Sequence, residues 1–163
     1  MAEKATTKAE EALVDSKGKV RILVYGTLKS PHYNNDLLRR CHAEFLGYDY
    51  IAGRFKLIDL GPFPACHFLE SDANVNVNNH IYGEIWALPD EGLAEVDYLE
   101  GHPFFYERKK MWSQRMNLRV WAYFMQAKYG TDKAKVLKDG IWKPSDEEIA
   151  FWNKYDESQK QQS

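Results

Sequence analysis

This chain is short of several things, and each shortage narrows its identity. Two cysteines, Cys41 and Cys66, in 163 residues are too few and too isolated for a disulfide framework, so reduced thiols are expected. The pairs Cys41-His42 and Cys66-His67 lack the spacing of common zinc ligands, and no metal is expected. No uninterrupted apolar run reaches the roughly 18 residues of a spanning helix, so no membrane partner is expected. The opening residues hold no apolar h-region; a secretory signal is not expected, and the reading is a cytoplasmic protein. Charge is nearly balanced, with 22 Lys and Arg against 24 Asp and Glu for a net −2. A nucleic-acid partner, which calls for a large positive excess, is therefore not expected. What the chain has in quantity is rings: five Trp, ten Tyr and eight Phe. Bulky aromatic side chains should dominate its core.

The length suits one domain. Residues 1–18 are polar, rich in Ala, Lys and Glu, and read as a loose arm. Residues 19–157 form the domain, with a core over 20–125 and a helical C-terminal extension over 126–157. The Gln-rich residues 158–163 are expected to be disordered. Strands are expected at 20–25, at 45–51 and 55–60 (broken at Gly53), and through His67 to Leu69. Further strands are expected at 81–88, 104–112 and 118–125. The four Asn of 72–79 predict an exposed loop, and 128–140 is left open. Helices are expected at 89–100, where Pro89 opens and Gly101 closes the segment, and after Ser145. There Ser145-Asp146-Glu147-Glu148 reads as a capping box ahead of Ile149, Trp152 and Tyr155. A weaker helix covers 35–41. The sum is an α+β fold, a compact mixed β-barrel of about six or seven strands with a few short helices.

Two strings stand out. In Tyr25-Gly26-Thr27-Leu28 a glycine turn follows the first strand, leaving backbone N–H groups for a ligand. The other is Glu100-Gly101-His102-Pro103-Phe104-Phe105-Tyr106-Glu107-Arg108. At about 100° per residue, Glu100 continues the inward stripe of Leu93 and Val96, whereas Glu91 and Glu95 face away. Burial and the helix C-terminus should both raise the proton affinity of this carboxylate, making it a better base near neutral pH. An ion pair with Arg108 is the structural alternative for Glu100. Asp97 is the rival acid, with an anchoring bond to a backbone N–H as its own alternative. His32 and His102 follow turns and stand near the pocket mouth or in solvent. Lys109, Lys110, Arg115 and Arg119, interleaved with Trp112 and Trp121, read as the wet face of strands.

Taken together these segments resemble the γ-glutamylcyclotransferase family, in its γ-glutamylamine cyclotransferase and AIG2-like branch. The resemblance rests on Val24-Tyr25-Gly26-Thr27-Leu28, the stretch 34–38, Pro64-Ala65 and Gly83-Glu84-Ile85-Trp86. It ends on Asp97-x-x-Glu100-Gly101-x-Pro103-x-x-Tyr106-x-Arg108. It implies a cofactor-independent enzyme, of acyltransferase or lyase type, that releases 5-oxoproline from a γ-glutamyl amine or small γ-glutamyl compound by intramolecular cyclisation. It further implies Glu100 as catalytic acid/base and Tyr25, Gly26, Thr27 and Leu28 as substrate-binding residues. Tyr106 and Arg108 match the pattern as further binding residues. The alternative is a non-catalytic AIG2-like module that recognises a γ-glutamyl or carboxylate group. Oligomeric state is not indicated.

Overall fold

Alternating aliphatic residues make Val20–Val24 (β1) a strand buried on both faces. One edge pairs antiparallel with Asn78–Leu88 (β4), placing Ile22 opposite Trp86 and Val24 opposite Glu84. The other edge runs parallel to Arg119–Met125 (β6) through Ile22 and Trp121. Glu44–Asp59 (β2), Pro64–Phe68 (β3), Tyr106–Trp112 (β5) and Lys135–Val136 (β7) complete the sheet. Its order is β3-β2-β4-β1-β6-β5, with β7 beside β2. Among the described residues three helices accompany it: Asn35–Arg40 (α1), Asp90–Glu100 (α2) and Asp146–Gln162 (α3). This computed structural model describes residues 14–15, 17–69, 78–126 and 135–162.

The sheet curls on itself. Phe55 of β2 stacks on Phe124 of β6 with ring centroids 5.7 Å apart, and His67 Nδ1 of β3 lies 3.1 Å from the Met125 carbonyl. Because successive strand residues point to opposite faces, two cores result. Leu23, Ile51, Phe55, Ile81, Ile85 and Phe124 fill the inside of the curl. Ile22, Val24, Trp86 and Leu88 cover the other face with Leu38 of α1 and Val96 of α2. The fold is the expected mixed α+β, barrel-like architecture, its curled sheet forming a half-barrel.

Several local expectations change. Gly53 does not break a strand: β2 continues through it, and the ladder to β4 shifts register between Ala52 and Phe55. A Cβ at Gly53 would sit 2.8 Å from Phe55 Cζ, so the glycine marks a bulge. β5 starts at Tyr106, two residues late, because the Phe104 and Phe105 amides both donate to the Gly101 carbonyl. Asn78 and Asn79 belong to β4; the Asn78 side chain accepts from Leu57 N–H and donates to the Leu137 carbonyl. The rest of the expected Asn-rich loop, 72–77, lies outside the described residues, as do 1–13 and 127–134. Val14, at the end of the expected arm, bridges Val20. The tail expected to lack order instead continues α3 to Gln162. Its Lys and Gln residues are compatible with a helix already started upstream.

The capping box is half formed. Ser145 Oγ accepts the Glu148 N–H at 3.1 Å, but the Glu148 side chain does not return the bond. It turns inward to Lys29, 2.9 Å away, in a pair whose two side chains are 1% and 0% exposed.

Candidate active site

The chain leaves β1 at Tyr25, whose phenol donates to the Tyr123 carbonyl on β6. The next residues turn tightly, with Lys29 N–H bonded to the Gly26 carbonyl at 3.0 Å. A Cβ on Gly26 would approach Pro64 Cγ and Cδ to 2.9 Å, so β3 presses directly on this turn and only glycine fits. Thr27 is fixed by Asn34, whose backbone N–H donates to the Thr27 carbonyl and whose side-chain amide donates to Oγ1 at 2.8 Å. The N–H groups of Gly26, Thr27 and Leu28 find no protein acceptor among the described residues. They form a set of amide donors held in place on one turn.

From the other side comes α2. Gly101 closes it in the left-handed conformation at φ +67°, and His102 N–H returns to the Asp97 carbonyl at 2.9 Å. That left-handed turn favours glycine and satisfies the helix's last carbonyls. Val96 is fully buried and Glu91 and Glu95 are exposed, as the stripe requires. Glu100 therefore points into a cavity of about 200 Å³ between α2, the Gly26 turn and β3. Tyr25, Gly26, Thr27, Leu28 and Tyr106 line the same space. Pro64, Phe63, Tyr33, Leu99, Phe105 and Tyr123 complete the wall.

Glu100 makes no hydrogen bond or ion pair among the described residues. Burial pushes its carboxyl up to about 7, since removing water penalises the charged form. Burial likewise drives the Tyr106 phenol far up, with the nearby Glu100 charge adding to it. Tyr106 stays a neutral donor, and its hydroxyl is spent on the Pro64 carbonyl at 2.9 Å. Its service to the cavity is to hold Pro64 against the turn.

Arg108 and Asp97 resolve differently. Arg108 Nε lies 2.9 Å from Asp97 Oδ1, its guanidinium covers the Trp121 ring at 4.3 Å, and its N–H donates to His102 Nδ1. Asp97 Oδ1 also accepts the Tyr123 hydroxyl at 2.5 Å. Neither Arg108 nor Asp97 lines the cavity. Arg108, expected among the substrate-binding residues, lies outside the cavity wall and ties α2 to β5 and β6. The alternative pair of Glu100 with Arg108 does not form, and Asp97, rather than meeting a backbone N–H, is held by two side chains. His32 is occupied by the Lys143 carbonyl at 2.9 Å. The Cys66 thiol is buried and pushed well up by that burial, a poor nucleophile.

Sequence reasoning missed Tyr33, Phe63, Leu99, Phe105 and Tyr123 as wall residues. Leu99 precedes the Glu100 string and Phe105 lies within it, so both were legible as neighbours. Tyr33 belongs to the loop that follows the Gly26 turn, whereas Phe63 and Tyr123 arrive from distant segments that the curl of the sheet brings in.

The comparisons with known proteins agree with this geometry. The family model described as "Gamma-glutamyl cyclotransferase, AIG2-like" matches residues 22–144, which include both strings. The Escherichia coli K12 gamma-glutamylcyclotransferase family protein YtfP is 28% identical over 123 residues, spanning 76% of this chain and 96% of that protein. CG2811 of Drosophila melanogaster, provisionally named a gamma-glutamylcyclotransferase, is 30% identical over 112 residues, or 65% of this chain and 69% of that one. A crystal structure of an AIG2-like protein from Mus musculus superposes with a TM-score of 0.62 at 21% identity, covering 78% of this chain and 97% of that chain. Fold, motif order and matched span converge, and the chain belongs to the AIG2-like gamma-glutamyl cyclotransferase family.

Proposed function

We propose that the protein releases 5-oxoproline from a γ-glutamyl amide by intramolecular cyclisation, with Glu100 as acid and base. The observation that carries this reading is a half-buried carboxyl, without a partner among the described residues, that faces the amide donors of the Gly26 turn across one small cavity. The substrate's α-nitrogen attacks its own γ-carbonyl; a C–N bond forms, closing a five-membered lactam, and the C–N bond to the leaving amine breaks. Nucleophile and electrophile share one molecule, so folding the substrate into an attack-ready shape supplies much of the acceleration. An α-ammonium cannot attack. Glu100 accepts one proton and delivers it to the departing nitrogen, which otherwise leaves poorly; the second proton, shed as the attacking nitrogen becomes the lactam N–H, returns to Glu100 and leaves with the amine as its ammonium. A carboxyl poised near 7 serves both directions at neutral pH.

The amides of Gly26, Thr27 and Leu28 suit the substrate's α-carboxylate or the oxyanion that grows on the γ-carbonyl. Thr27 Oγ1 already accepts from Asn34, which frees its hydroxyl hydrogen for the ligand. Tyr25 and Tyr106 hold the walls. The test is to incubate the protein with γ-glutamyl amines, γ-glutamyl amino acids and glutathione and quantify 5-oxoproline. Release that disappears in Glu100→Gln supports the reading. Saturable binding of the same compounds without product would make the protein a recognition module instead.

A further inference from the structure

The cavity has two unlike ends. At its floor Tyr25, Leu28, Tyr106 and Tyr123 are buried, and here the amide turn and Glu100 supply the polar groups. At its rim stand three large apolar side chains that water still reaches: Tyr33 is 65% exposed, Leu99 44% and Phe105 37%. Phe104 and Tyr98, their chain neighbours, are 76% and 78% exposed. Scattered exposed apolar residues are ordinary, but a cluster gathered at the mouth of one cavity marks a surface that expects an apolar ligand.

The rim is also held in shape. The Phe105 backbone N–H is bonded to the Gly101 carbonyl at 2.9 Å, and its ring packs edge-on against Tyr106 at 5.0 Å. Tyr33 is held by its hydroxyl bond to the Pro62 carbonyl at 3.2 Å. A surface fixed beforehand loses little freedom on binding. Among the described residues that line the cavity there is one carboxyl, Glu100, and no Lys, Arg or His.

If the γ-glutamyl head occupies the polar floor, the leaving amine projects through this rim. We propose that the rim selects γ-glutamyl amides of uncharged, apolar amines, aryl or long alkyl, with Phe105, Tyr33 and Leu99 as the specificity-determining residues. This rests on the cyclotransferase reading given above. A γ-glutamyl amino acid brings an extra carboxylate to the same apolar rim, where it takes the place of apolar contact and no lining cation meets it.

The decisive comparison uses three amides of one glutamate: γ-glutamylphenethylamide, γ-glutamylmethylamide and γ-glutamylphenylalanine, the last differing from the first only by a carboxylate. The expected kcat/KM ranks phenethylamide above each of the others by roughly 10–100-fold. In Phe105→Ala the phenethyl-to-methyl ratio should fall toward one, and Phe105→Leu should restore part of it. Circular dichroism checks that both variants fold. Equal or inverted ranking, or a ratio unmoved in Phe105→Ala, would overturn the assignment. The same three compounds, bound to Glu100→Gln and followed by calorimetry, read the rim without turnover. If no compound yields 5-oxoproline but phenethylamide binds tightest, the cyclotransferase reading fails and the apolar rim stands. If binding too shows no preference, the rim assignment fails.

Discussion

Glu100 and Glu148 are both glutamates on helices, both are withdrawn from water, and they are treated in opposite ways. Glu148 is completely buried against Lys29, whose Nζ lies 2.9 Å from Oε1 and also donates to the Trp142 carbonyl at 2.6 Å. Glu100 faces a cavity with no such partner among the described residues. A charge buried to hold a fold is paired, because an unpaired one costs several kcal/mol. A carboxyl that is desolvated and left unpaired is stable only by holding its proton longer, and that is the property a catalytic acid/base needs. Glu84 lies between these cases: burial raises its proton affinity, but Trp86 Nε1 and Ser30 N–H both donate to Oε1. Lys29 and Ser30 directly follow the amide turn, so the paired glutamates brace the loop that the unpaired one faces.

Substitutions can break this contrast in order of expected size. Glu100→Gln should cost turnover by about 10²–10⁴-fold or more while leaving the circular dichroism spectrum unchanged and the Tm at neutral pH no lower than the parent's. Glu148→Gln should do the reverse. It leaves the Lys29 ammonium buried without its counterion, for a loss of roughly 3–5 kcal/mol in denaturant unfolding. If the two variants behaved alike, the division between structural and functional carboxylates would be wrong.

The pH dependence sharpens the same point. Glu100 titrates at about 7 in the folded protein against an ordinary 4.5. Below about pH 4 both folded and unfolded forms hold the proton, and the shift has no effect on stability. As pH rises from 4.5 to 7 the unfolded chain releases its proton first, so the native state loses roughly 2–3 kcal/mol relative to it. Above 7 the loss is constant. Glu100→Gln removes that slope, so the variant should match the parent at pH 4 and exceed its stability at pH 8. Equal unfolding curves for both proteins at pH 8 would mean that the carboxyl is well solvated.

Two smaller effects follow. Gly26→Ala forces a methyl to within 2.9 Å of Pro64, which should cost about 1–3 kcal/mol of stability and raise KM by displacing the amide turn. Arg108→Met breaks a partly exposed pair and should cost about 1 kcal/mol or less, with KM nearly unchanged. A large KM increase in Arg108→Met would return Arg108 to the binding site.

Much of this was legible in the chain. The inward stripe Leu93, Val96, Glu100 survives intact because a capped helix obeys its own periodicity. The turn at Gly26 was legible as a strand ending in glycine, although its reason, contact with Pro64, was not. Lys29 and Glu148 escaped notice because their pairing is long-range, and Glu148 lies past residue 144, where the family match ends. Its place in an apparent capping box concealed the role. The motif that carries Arg108 fixes sequence spacing alone, whereas its direction on β5 depends on where Asp97 and Trp121 sit.

The most direct test of the central claim is the pH profile of 5-oxoproline release by the wild-type protein and by Glu100→Gln. The account predicts that wild-type kcat/KM rises through an apparent pKa close to 7 and that the variant forms no product across the range. Product release by Glu100→Gln with an unchanged profile would contradict it.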